Sequence, residues 1–242
     1  MDEIKARLKK YTSIKREALL TAAADELLPT ADLITISKEI IVAERTDQEE
    51  MGDYLALMIL HLRANEDTLN QSIALLASED AVDRELGCRI LREFPRLDDA
   101  PTRFSATIVH AMSQLIETEK EEQVLLSALS TIGWQCHETG HQLLLKMSAD
   151  PRDAIRFTIA DNLLTLFKNG RKVTQDYAEA FLRFTSDPDE DIRRSVFYDI
   201  AEHTEIFSDF KEVFLEAARQ AQNDPSPDVQ KEALKALNSL QS

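Results

Sequence analysis

The chain has 242 residues, 43% of them hydrophobic, with 28 basic against 44 acidic side chains and a net charge of −16. Five glycines and seven prolines leave few places for hairpins, so a sizeable all-α core is expected, and the acidic balance argues against a nucleic-acid partner. No run of 18 apolar residues exists, Met1-Asp2-Glu3-Ile4-Lys5 lacks an apolar leader core, and Cys88 and Cys136 read as reduced thiols, which together predict a cytoplasmic protein with no membrane segment.

Residues 1–45 read as two capping helices divided around Leu28-Pro29-Thr30. They hold a basic stretch, Lys5, Arg7, Lys9, Lys10, Lys15 and Arg16, which reads first as the solvated face of an opening helix. From residue 46 to 242 the chain reads as one continuous array. Apolar or small residues recur at four-residue spacing as Met51, Leu55 and Ile59 and as Val124, Ala128 and Ile132, and the segment around Arg84, Gly87 and Leu91 fits if Asp83 occupies the first stripe position. Between them lie partner stripes, Leu69, Ile73 and Leu76, and Phe104, Ile108, Met112 and Leu115.

The last third states the pattern most openly. Asp150-Pro151-Arg152-Asp153-Ala154-Ile155-Arg156 returns 37 residues on as Asp187-Pro188-Asp189-Glu190-Asp191-Ile192-Arg193, and 37 further on as Asp224-Pro225-Ser226-Pro227-Asp228-Val229-Gln230. Each is followed by a helical stripe: Ile159 and Leu163, Val196 and Ile200, Ala233 and Leu237. Asp-Pro reads as a helix start, the carboxylate accepting from first-turn amides and Pro occupying the first helical position. Runs ahead of these starts, Tyr177, Phe181 and Phe184, then Phe210, Val213, Phe214, Ala217 and Ala221, supply the first helix of each pair. Phe157, Phe181, Phe184, Phe197, Phe210 and Phe214 read as repeat core. Neither helix of a pair buries its stripe alone, so pairs must stack.

Paired helices with Asp-Pro before Ile-Arg resemble HEAT repeats, over about residues 46–240. The resemblance implies a right-handed α-α superhelix of five to six pairs. It also implies a polar ladder along the turns, a role that falls to Asp150, Arg156, Asp187 and Arg193, with Leu125 and Gln230 departing from it. A HEAT-like array implies a scaffold or regulator that holds another protein, possibly a basic one, with no cofactor and no catalytic residue. An immunity-type inhibitor of a toxin is a second use of such a surface. Two enzyme alternatives stay open. A HEAT-like DNA glycosylase would want a basic groove with Trp and Asp. A zinc hydrolase would use His137-Glu138-Thr139-Gly140-His141, which matches H-E-x-x-H, with His137 and His141 as ligands. That match falls across a turn and a helix start, contains a glycine and has no third ligand downstream.

On the second helix of each pair, the position six after the stripe start lies about 240° around the axis and should leave the core. These positions are Leu57, Arg89, Ser130, Asp161, Tyr198 and Lys235. Trp134, ten after Val124, and Arg194, two after Ile192, point to the same broad side. The partner-binding candidates are therefore Arg89, Trp134, Asp161, Arg194, Tyr198 and Lys235.

Overall fold

The computed structural model describes residues 1–11, 16–46, 54–63, 65–94, 102–168 and 173–241. Met51 and Lys15 lie outside the described residues. Among the described residues every regular element is a helix, and none is long and apolar enough to cross a membrane. The chain forms two compact units, Met1–His137 and Glu138–Ser242.

The first unit contains α1 (Asp2–Leu8), α2 (Arg16–Ala23), α3 (Thr30–Arg45), α4 (Leu55–Leu62), α5 (Glu66–Leu75), α6 (Ala81–Arg92), α7 (Ser105–Thr118) and α8 (Glu122–Trp134). Among the described residues of 1–45 there are three helices, not two. The break at Pro29 falls where it was expected, directly ahead of α3, but a further interruption separates α1 from α2. The basic residues of α1 do more than face water. Arg7 grips Asp25 through two bonds of 2.6 and 2.9 Å, and Lys5 reaches Glu39 of α3 at 2.7 Å. Helices α2, α4, α6 and α8 pack in succession, with α3, α5 and α7 against them. In α6, Gly87 stands in the stripe because α5 approaches so closely there. A Cβ would lie 2.8 Å from Leu76 Cδ2 and 2.9 Å from the Ser72 carbonyl oxygen.

The second unit contains α9 (Glu138–Met147), α10 (Asp153–Lys168), α11 (Gln175–Phe184), α12 (Glu190–Glu202), α13 (Lys211–Gln220) and α14 (Pro227–Gln241). Here α10, α12 and α14 lie side by side, and α9, α11 and α13 pack on them as the other member of each pair. Ile155, Ile159, Leu163, Ile192, Val196, Ile200, Val229 and Ala233 are buried, as the stripe requires, while Leu237 is half-buried near the chain end. Phe181, Phe207 and Phe214 stack edge to face, with centroids 5.2 and 4.9 Å apart. Two expectations of burial fail. Val213 is exposed, and so is Phe157, which sits two residues after Ile155 and thus about 200° from the stripe.

The Asp-Pro turns work differently from the expected cap. Asp150, Asp187 and Asp224 each use Oδ1 to accept the amide two residues on, from Arg152, Asp189 and Ser226 at 3.0, 2.9 and 2.9 Å. The helix then starts three residues beyond the Asp, and in α12 the cap is Asp189, accepting from the Asp191 and Ile192 amides. An Asx turn thus precedes the helix, with Pro151 and Pro188 outside it. Pro227, not Pro225, is the first helical residue of α14.

The conserved geometry of these turns leaves the outer carboxylate edge free for the previous repeat. Arg156 donates to Asp187 at 2.7 and 2.9 Å, and Arg193 to Asp224 at 2.8 and 3.0 Å. The same guanidiniums use Nη1 to bind their own turns: Arg156 the carbonyls of Asp150 and Pro151, Arg193 those of Asp187 and Pro188. Gln230 keeps the own-turn bond, to the Asp224 carbonyl at 2.7 Å. Asp150 is satisfied within its own turn by Arg152, at 2.9 Å twice. Leu125 stands where α8 would carry a donor. One rung was not foreseen: Arg84 of α6 donates to Glu119 at 2.6 and 3.0 Å and to the carbonyls of Ser78 and Glu79. Arg193 holds the Asp224 carboxyl below its usual range, and Arg84 does the same for Glu119. At Asp187 burial pushes the other way, but the bond from Arg156 and the Asp189 amide outweigh it, and the net shift is downward.

Candidate functional site

Three stacked helices whose buried stripes point inward must show their opposite faces to solvent, and in the second unit those faces carry a distinct set of side chains. On α10 they are Asp153, Phe157 and Asp161; on α12, Asp191, Arg194 and Tyr198; on α14, Asp228, Lys231 and Lys235. All are exposed, and each set follows three- and four-residue spacing, so each forms one line along its helix. The rungs Arg156–Asp187 and Arg193–Asp224 fix the starts of the three helices along one edge, which brings corresponding positions into rows.

Two large aromatic residues are exposed on this face, Phe157 at 42% and Tyr198 at 50%. Phe157 and Arg194 line one hollow between α10 and α12, of about 350 Å³, together with Asp153, Ala154, Asp189 and Asp191. Arg194 is held by Asp191 at 2.9 Å, an exposed pair one turn apart. Lys235 on α14 is held by Glu232 at 2.8 Å. Aromatic and Arg residues are enriched at the energetic centres of protein interfaces, the aromatics because they bury much surface at little entropic cost and Arg because its planar guanidinium offers five donors.

Of the residues expected on this surface, Asp161, Arg194, Tyr198 and Lys235 fall together on the second unit. Arg89 and Trp134 belong to the first. Trp134 ends α8 and is 49% exposed. The turn after it is closed by its neighbours. Buried Gln135 donates Nε2 to the carbonyls of Leu91 and Phe94 at 2.8 and 2.9 Å and accepts from Ser105 Oγ at 2.8 Å, and Cys136 takes a left-handed conformation at φ 48°. Arg89 is only partly accessible, bonded at 2.6 Å to both Glu44 and the buried Glu85, which also holds Arg45. Leu57 is a correction. It was expected to leave the core and is 6% exposed, because α4 is apolar on nearly every side and is packed by α2, α3 and α6.

Phe157 and the Asp153/Asp191 pair were missed as site residues. The signal was present, since the two-residue offset that singled out Arg194 singles out Phe157 as well. Aromatic character was instead read as burial.

The H-E-x-x-H segment divides at a helix start. His137 precedes α9, Glu138 is exposed on its first turn, and His141 is buried beneath the edge of Tyr177, centroids 6.4 Å apart. Among the described residues no three His, Cys, Asp or Glu side chains gather as a metal-binding group. Cys88 and Cys136 are both buried, and burial pushes the Cys88 thiol well above its usual range.

No protein-family model matches this chain, and no curated protein does. Solved structures do. The crystal structure of YibA of Escherichia coli matches over 92% of this chain and 74% of its own, at a TM-score of 0.60 and 15% identity. Two crystal structures of engineered proteins match over 100% and 99% of this chain and 97% and 68% of theirs, at TM-scores of 0.54 and 0.50 and identities of 15% and 16%. At such identities the likeness speaks for the fold alone, and what it establishes is an all-helical, repeat-like chain.

Proposed function

We propose that the chain is a HEAT-like protein-interaction module, a scaffold or regulator in the cytoplasm that performs no catalysis, and that the α10–α12–α14 face holds its partner. The observation that carries this reading is the exposed trio Phe157, Arg194 and Tyr198. A repeat framework has no structural use for two solvated aromatics on the side opposite its stripe, whereas a partner would bury them. The acidic balance of the chain suits a basic partner, which it would attract at long range. A right-handed superhelical course belongs to the same proposal and follows from the HEAT resemblance.

The test is affinity capture with the whole chain as bait, followed by mass spectrometry. Phe157→Ala, Arg194→Glu and Tyr198→Ala combined should lose the partners that the parent captures, with an unchanged melting temperature. Retention of every partner by a folded triple variant would overturn the assignment of this face. A metal-dependent hydrolytic activity abolished by His141→Ala would overturn the non-catalytic reading.

A further inference from the structure

The hollow between α10 and α12 has a composition that specifies more than stickiness. It is lined by an exposed phenyl ring, Phe157, and by three carboxylates, Asp153, Asp189 and Asp191, against one guanidinium, Arg194. Asp189 is engaged as the cap of α12, accepting the amides of Asp191 and Ile192 at 2.9 and 3.0 Å. Asp191 shares its charge with Arg194 across an exposed contact of 2.9 Å. The count leaves the hollow formally negative, and the two helix starts beside it supply only partial positive charge. An apolar guest would take water from a formally negative lining and bring no positive charge in its place, and an anionic guest would meet both this lining and a chain of net charge −16. A cation on an aliphatic stem satisfies both halves of the site, its methylenes against the ring edge and its charge over the ring face and between the carboxylates.

We propose that this hollow seats a lysine or arginine side chain from a basic segment of a protein partner, laid on Phe157 and flanked by Asp153 and Asp191. The inference rests on the interaction reading of the same face and names the chemistry of the occupant. Arg194 then acts as a gate residue, exchanging its bond to Asp191 for contact with the incoming chain.

The test uses the full chain labelled with nitrogen-15, titrated with N-acetyl-lysine methylamide and N-acetyl-arginine methylamide, and with N-acetyl-norleucine methylamide as the neutral control. The cationic probes should shift the amides of residues 153–157 and 189–194 saturably, and norleucine should bind more weakly. Phe157→Ala should weaken the cations by about two- to fivefold, the range of an exposed cation–ring contact. Phe157→Leu, which keeps apolar bulk without the ring, should weaken them nearly as much, and Asp153→Asn with Asp191→Asn should remove the difference between lysine and norleucine. Equal binding of norleucine, shifts spread over the acidic surface at large, or no response to the Phe157 variants would each overturn the proposal. If norleucine binds equally while Phe157→Ala still abolishes partner capture, the cationic occupant falls and the interaction face stands. If the cations bind here while capture survives Phe157→Ala, the interaction face falls and the cation site stands.

Discussion

Asp187 illustrates how much one side chain does in this fold. Its Oδ1 closes the turn through the Asp189 amide, and both oxygens receive the Arg156 guanidinium of the previous repeat, in a setting where the Asp side chain is only 5% exposed. Asp187→Ala would leave Arg156 with its own-turn carbonyls and no carboxylate bonded to it, only the weaker fields of Asp153 and Asp189. A loss of about 3 kcal/mol is expected, the low end for breaking a buried pair from one side, measured by denaturant unfolding. Because Asp187, Asp224 and Glu119 all titrate below their ordinary range when folded, the stability they contribute is present above the unfolded carboxylate pKa, near 4. It drains away as pH falls from there through the lower folded values. Stability should therefore drop on acidification below about pH 4, and the Asp187→Ala variant should show a shallower drop. Arg89 behaves as part of this internal bonding too, so Arg89→Glu should lower the melting temperature by placing a third carboxylate beside Glu44 and Glu85.

The elements were legible in proportion to how strongly packing imposes a period. The stripes Ile155/Ile159/Leu163 and Ile192/Val196/Ile200 were readable residue by residue, because a helix pressed between neighbours tolerates only apolar groups at every third or fourth place. Ile192→Ala should accordingly cost about 2 to 5 kcal/mol, whereas Phe157→Ala, on the solvent side, should leave the melt nearly unmoved. Gly87 in α6 is the sharper test of packing. An added methyl meets backbone at Ser72 as well as the Leu76 side chain, so Gly87→Ala should destabilise by about 1 to 3 kcal/mol despite its better helix propensity. What escaped the sequence were features without a period. The split of residues 1–45 into three helices and the Arg84–Glu119 rung at an irregular spacing both depend on which neighbour arrives in three dimensions. Half of the candidate surface could be named in advance because it is the complement of a stripe. The ring at its centre obeys the same period, two residues after Ile155, but its aromatic character was read as burial and hid it.

At the scale of the whole molecule, charge and repetition set the behaviour. A net charge of −16 repels itself more in the folded state than in the open chain, while most of the exposed ion pairs, such as Arg194–Asp191, contribute little. Added salt should therefore raise the melting temperature and, in the same range, weaken capture of a basic partner. A melting temperature that falls with salt would mean that the inter-repeat pairs outweigh the repulsion. Repetition has a different kind of consequence. Asp187 and Asp224 receive the same two bonds from the arginine 31 positions before them and close the same turn, so the two joints are interchangeable. Cutting out residues 187–223 and joining Ser186 to Asp224 would hand Arg156 a carboxylate in the place of the one removed, with α14 following α11 as α12 did. Such a shortened chain should still fold as an all-helical protein. Whole repeats then become units of inheritance, and a gene duplication or loss in multiples of 37 codons would change the length of this surface without a new joint having to be invented.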